Sequence, residues 1–161
     1  CQGMLPIVAY NFASGDHKRM NRTVNTARLW GVIVSVATLL LYELFSPSVC
    51  RLFLDVGENN MSAAKTIMLA TVFLRIRCTS SLPQFFNYST SYCMQAVGYG
   101  SGTLLHACVR ELVFYIPFMI LFNRLFGMYG LTAAIIAGES CGALFALLIF
   151  GRWKKKHVNL I

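Results

Sequence analysis

Long apolar runs alternate with short polar interruptions along this chain, and the runs are too long to be one face of a soluble amphipathic helix. The first extends from Ala27 to Phe45 and carries no charge between Arg28 and Glu43. At about 1.5 Å per residue, a helix of that length matches a bilayer core of about 30 Å. Ser46-Pro47 is expected to end it, and a loop from Ser46 to Met61 with Asp55, Glu58, Asn59 and Asn60 follows. A second apolar stretch runs from Ala63 to Val97, longer than one ideal span. It is interrupted by Arg75, Arg77, Pro83 and a polar series, so it predicts one long helix kinked near Pro83. Arg75 and Arg77 are expected to snorkel to the headgroups. After a short turn at Gly98–Gly102, a third span covers Thr103–Phe122, with Pro117 expected to bend it. A turn over Asn123–Gly130 leads to a fourth span, Leu131–Phe150, closed at the interface by Gly151-Arg152-Trp153-Lys154. Cys1–Tyr10 is apolar but too short to span and has no basic n-region, so it reads as the tail of a helix that starts upstream. The predicted fold class is all-α: a polytopic membrane bundle of about four full transmembrane helices plus the end of a fifth. Residues 1–151 form a partial transmembrane lobe and residues 152–161 a basic tail.

Composition agrees with that pattern. Of 161 residues, 57% are hydrophobic and 12% charged, against roughly 25% charged in a soluble domain. So few charges cannot coat a water-facing surface, and so short a chain cannot hide so much apolar area. The net charge of +8 is concentrated beside the spans. Lys18, Arg19, Arg22 and Arg28 form one cluster, and Arg152, Lys154, Lys155 and Lys156 another, which places both ends of the bundle in the cytoplasm. Four crossings connect the two clusters, so their agreement is a consistency test. No nucleic-acid motif accompanies the basic residues, so nucleic acid is not an expected partner. The six cysteines show no C-x-x-C pair, and neither a metal site nor a disulfide framework is expected. No catalytic constellation appears, so the chain is not expected to be an enzyme or to hold a cofactor.

Four features could carry function. Gln84, Asn87, Ser91 and Gln95, with Tyr88 beside them, follow helical spacing and form a polar stripe. Lipid cannot satisfy such a stripe, so it must meet either protein or a water-filled pathway. Glu111 and Glu139 are intramembrane acids, costly unless used or paired. Arg110 adjoins Glu111, but helical neighbours point about 100° apart, so Glu111 is expected to find its partner on another helix. Ala134, Gly138, Gly142 and Ala146 form a stripe of small residues suited to close helix packing. Val97-Gly98-Tyr99-Gly100 is similar to a potassium-channel filter, but Ala96 stands where the filter has Thr and no pore helix fits beside it.

Several short motifs in sequence order resemble the multidrug and toxic compound extrusion (MATE) family. They are Gly3-x-x-Pro6-Ile7, then Tyr10-Asn11-Phe12-Ala13-Ser14-Gly15 followed by Lys18-Arg19; Phe73-Leu74-Arg75-Ile76; Gln95-Ala96-Val97-Gly98; Ile116-Pro117; and Phe126-Gly127-x-x-Gly130-x-x-Ala133. The family-motif positions are Gly3, Pro6, Asn11 and Arg19. The resemblance implies the end of the eighth helix through the twelfth of a two-lobed antiporter in the plasma membrane. Such proteins export organic cations against protons or sodium by alternating access. It implies as partners membrane lipid, a small organic cation and an N-terminal lobe of the same polypeptide, with no cofactor beyond the coupling ion. No carboxylate stands in the tenth-helix region, so a coupling residue is not assigned. The rival readings are a lipid-linked oligosaccharide flippase of similar fold, an ion-channel module and a membrane scaffold.

Overall fold

Hydrophobic side chains face outward along much of this bundle, and polar ones lie inside it. In the computed structural model, which describes residues 1–53 and 61–157, Leu29, Val34, Leu44, Leu104, Leu112, Leu125 and Leu148 are exposed while Asn87, Thr90, Ser80 and His106 are buried. Water would not tolerate that inversion, but lipid favours it, because apolar surface costs nothing there and unpaired polar groups do.

The chain opens with a 3-10 turn (Gln2–Met4) and α1 (Leu5–Ala13). α2 (His17–Phe53) is the first long helix. α3 (Met61–Thr79) and α4 (Ser81–Ala96) follow nearly head to tail. α5 (Gly100–Cys108), a π-helical segment (Val109–Tyr115) and α6 (Ile116–Phe126) run on as one 27-residue rod. α7 (Met128–His157) closes the described chain. Among the described residues α2, the α5–α6 rod and α7 are each long and apolar enough to cross a membrane. The α3–α4 pair, broken at Ser80, provides the remaining layer. α7 packs against α3, α4, α5, α6 and the π segment, so it forms the axis of the bundle.

α2 does not stop at Ser46-Pro47, as the sequence suggests. It continues through Pro47 to Phe53. Proline has no N–H to give the carbonyl of Glu43, one turn back. Arg75, on α3, supplies the missing donor: its Nη2 donates to that carbonyl at 3.1 Å and its Nε to Ser46 Oγ at 3.0 Å. The Glu43 carboxylate lies 3.5 Å from the same Nε. Arg75 is therefore bound across a helix interface. Of the expected Ser46–Met61 loop, residues 46–53 are helical and residues 54–60 lie outside the described residues.

The kink in the second stretch falls at Ser80, three residues before Pro83, because Pro83 occupies the first turn of α4, where no intrahelical N–H is needed. Arg77 turns inward across this break. It donates to Ser80 Oγ and lies 3.5 Å from Gln84 Oε1, while Ser80 Oγ donates to the Arg77 carbonyl at 2.7 Å. The turn expected over Asn123–Gly130 contracts to Gly127, whose φ of +59° lets α6 and α7 meet with one intervening residue. Ahead of Pro117 the rod widens into the π segment instead of simply bending, which is one way to absorb a missing hydrogen bond.

At the opposite end of α7 the helix continues through the basic residues to His157. Trp153 anchors it there, stacked between Tyr99 (5.5 Å), Phe150 (6.0 Å) and His157 (4.7 Å), with Phe12 of α1 at 5.9 Å. Met4, Val8, Met20, Val24, Met94, Val97 and Ala146 complete the apolar cluster at this end.

Candidate functional site

The small-residue stripe of α7 lets two other segments come close. Ala134 and Ala146 are fully buried, and Gly138 and Gly142 are buried with them. A side chain at Gly138 would meet Tyr115 of the π segment at 3.4 Å; one at Gly142 would meet Arg110 at 2.9 Å and Asn87 Oδ1 at 3.1 Å. This close approach delivers polar groups from α4, α5 and the π segment to Glu139.

One amide joins three helices. Asn87 Nδ2 donates to the Glu139 backbone carbonyl at 2.8 Å and to Glu139 Oε2 at 2.7 Å. A backbone carbonyl only accepts, so this contact fixes which end of the amide is nitrogen. Asn87 Oδ1 then faces His106 Nε2 at 3.1 Å, and that nitrogen must carry a hydrogen. In the neutral ring the other nitrogen is an acceptor, and Ser91 Oγ lies 2.9 Å from it, placed to donate. The bond directions therefore run from Ser91 through His106 and Asn87 to Glu139, and each donor points toward the carboxylate. Asn87 is fully buried and His106 is 2% exposed. Bonds in so dry a place are strong, and breaking one leaves its partner unsatisfied.

Arg110 forms the second half of the site. Its Nη2 and Nε both donate to Glu111 Oε1, at 2.6 and 3.2 Å, and its Nη1 lies 3.9 Å from Glu139 Oε2. The guanidinium also sits 5.6 Å from the centre of the Tyr88 ring, within cation–π range. The sequence expectation that Glu111 needs a partner on another helix is thus corrected. These residues lie on a π-helical turn, wider than an α turn, which narrows the angle between neighbours, and the long Arg110 stem folds back. A cavity of about 260 Å³ opens beside them, lined by Arg77, Tyr88, Arg110, Glu111, Tyr115 and Glu139 among others.

The polar stripe divides on inspection. Asn87 and Ser91 belong to the buried chain of bonds, Gln84 faces Arg77, Tyr88 is 43% exposed on the cavity wall, and Gln95 is exposed. The two acids converge, sharing Arg110. The motif residues lie elsewhere: Gly3 in the opening turn, Pro6 in the first turn of α1 and Asn11 buried on α1. The Arg19 backbone N–H donates to Asp16 Oδ1 at 2.9 Å, capping α2. Sequence reasoning missed His106. A lone histidine in an apolar run, one helical turn before Arg110, was the available signal.

The family model MatE matches residues 1–121. A multidrug export protein, MepA of Staphylococcus saprophyticus, is 28% identical over 149 residues, covering 92% of this chain and 31% of its own length. MepA of Staphylococcus aureus (strain bovine RF122) is 29% identical over 154 residues with the same coverage. The chain thus spans about a third of the length of these curated relatives. A solved inward-facing multidrug resistance MATE family transporter of the MOP superfamily superposes with a TM-score of 0.86 over 99% of this chain and 36% of that one, at 19% identity, and so shares its fold. A multi-pass helical bundle with apolar faces outward, matched by one family model over most of its length, leads to one assignment: this chain belongs to the MatE family, whose members are membrane transporters and not enzymes.

Proposed function

We infer that the full-length protein exports bulky organic cations from the cell, coupled to inward movement of protons or sodium by alternating access, and that this chain is part of its C-terminal lobe. The observation that carries the reading is the match of 92% of this chain to relatives named as multidrug export proteins. The wall around Tyr88 suits a cationic solute chemically, since an aromatic face attracts organic cations without needing a dedicated charge. The basic ends of α2 and α7 favour a cytoplasmic C-terminus in the plasma membrane. Membrane lipid and the N-terminal lobe would cover the outward-facing apolar surfaces. The test is ethidium accumulation in a host lacking its own efflux pumps. Cells expressing the full-length protein should accumulate less ethidium, and separate collapse of the proton and sodium gradients identifies the coupling ion. Unchanged accumulation at normal membrane levels would refute the reading.

A further inference from the structure

We propose that the basic end of α7 holds the phosphate of an anionic phospholipid, in a cavity walled by Tyr99, Ile149, Arg152, Trp153, Lys156 and His157. The cavity measures about 550 Å³. All of these residues but Tyr99 belong to α7, at spacings of three and four, so they stand on one face of the helix. From Ile149 to Lys156 that face climbs about 10 Å at 1.5 Å per residue. Ile149 lies nearest the middle of the bundle, Trp153 comes next and Lys156 is outermost. The order is apolar, aromatic, cationic. A phospholipid presents chain, ester and phosphate in the same order, and the amphipathic rings of Trp and Tyr belong at the level of its headgroup.

The charge of the wall decides which headgroup fits. Arg152 and Lys156 are exposed and make neither an ion pair nor a hydrogen bond among the described residues, and no carboxylate stands in the cavity wall. One helical turn apart, the two cations repel each other, and an anion placed between them relieves that repulsion. The planar guanidinium matches phosphate oxygens in pairs, and the ammonium adds a point charge. Between these cations and Ile149, Trp153 is held in place by Tyr99 at 5.5 Å and His157 at 4.7 Å. His157 Nδ1 lies 3.0 Å from the Trp153 carbonyl, which only accepts, so that nitrogen carries the hydrogen and Nε2 of the neutral ring is an acceptor. His157 thus steadies the indole and leaves the phosphate to Arg152 and Lys156. A second basic cavity at this end, about 800 Å³, differs because Asp16 shares its wall with Lys18, Arg19 and Arg22 and supplies an anion of its own. A free phosphate would leave Ile149 and the aromatic rings unused, whereas a lipid covers them. Since Trp153 also touches Phe12 of α1, a lipid seated on the stack ties α1, the turn before α5 and α7 together. None of this rests on the export reading above.

The test is native mass spectrometry of the full-length protein in detergent, titrated with dioleoyl-phosphatidylglycerol or, separately, with dioleoyl-phosphatidylcholine. Wild type should bind the anionic lipid about tenfold or more tighter than the zwitterionic one. Arg152→Gln/Lys156→Gln should abolish that preference. Lys154→Gln/Lys155→Gln should keep it, although it removes the same charge from the same last turn, where the helix dipole favours any cation. Lys156→Ala alone should lose part of the preference, and it serves if the double variant does not fold. Phosphatidylglycerol should also raise the melting temperature of wild type and leave that of Arg152→Gln/Lys156→Gln unmoved. Inorganic phosphate at millimolar concentration should neither stabilise the protein nor displace the lipid. Equal loss of preference in the two double variants would mean diffuse attraction to a basic end and overturn the proposal, as would equal binding of both lipids by wild type. Displacement of the lipid by inorganic phosphate would make the ligand a free phosphate and overturn the lipid assignment. No ethidium enters these measurements, so their failure and the failure of export are separate results.

Discussion

Gly142→Ala adds a single methyl group where α7 meets both halves of the polar site. Its new Cβ would lie 2.9 Å from Arg110 Cγ, 3.3 Å from Arg110 Cδ and 3.1 Å from Asn87 Oδ1. Favourable contacts between carbon atoms begin at about 3.5 Å, so something must yield by several tenths of an ångström. Arg110 can swing its stem, but its guanidinium then leaves Glu139 and strains the 2.6 Å contact with Glu111. Asn87 cannot turn, because both N–H bonds of its amide are held by Glu139. Overpacking of this kind costs about 1–3 kcal/mol. At about 1.4 kcal/mol per tenfold, the folding equilibrium should fall roughly five- to 140-fold. Gly138→Ala is the internal control, since its Cβ would sit 3.4 Å from Tyr115 Cα and Cδ2 and needs little adjustment. Both variants of the full-length protein would be heated in detergent and the surviving monodisperse fraction followed by size-exclusion chromatography. Gly142→Ala should melt clearly below wild type and Gly138→Ala close to it. Equal stability of the two alanine variants would refute the reasoning, because it would mean that α7 does not approach Arg110 and Asn87 so closely.

Arg75→Met should destabilise the protein by about 1.5–3 kcal/mol, the worth of a charged hydrogen bond. The loss should be much smaller in a Pro47→Ala background, where the backbone N–H restored by the substitution can bond the Glu43 carbonyl itself; a thermal-stability double-mutant cycle measures this coupling. Tyr88→Ala should change which cationic compounds are resisted at normal membrane levels, whereas Asn87→Ala should lower membrane levels themselves; immunoblots paired with resistance profiles separate the two. Gly138→Leu, unlike Gly138→Ala, should reduce folded yield, read from the same chromatograms. In a background without other thiols, an impermeant maleimide should label Met128→Cys from outside intact cells and leave Lys18→Cys unlabelled; the reverse pattern would invert the topology.

The spans were legible because lipid demands an unbroken apolar run, a purely local property that Ala27–Phe45 and Leu131–Phe150 display openly. Their ends were not. Pro47 is a helix breaker by local rules, and it is tolerated because Arg75, 28 positions later, bonds the carbonyl it leaves free. Nothing in the sequence around Pro47 announces that partner. The stripe from Gln84 to Gln95 was correctly placed on one helix, but period alone cannot tell which members meet protein; Asn87 does because Gly142 lets α7 come near. The Arg110–Glu111 pairing depends on a π turn, which has no distinct residue signature. His106 lacked a visible role because its two partners, Ser91 and Asn87, lie on the preceding helix.

The aromatic stack around Trp153 makes the molecule its own reporter. The sequence holds two tryptophans, and Trp30 is 63% exposed on the outer face of α2. Trp30→Phe would therefore leave Trp153 as the one tryptophan of this chain, pressed between Tyr99, Phe150 and His157 with Phe12 beside it. Its rings come from α1, the turn before α5 and the end of α7, so they remain together only while those three segments stay docked. Any movement that parts them would expose the indole and change its emission colour and lifetime. Opening and closing at the basic end of the lobe could then be followed in real time without attaching a dye.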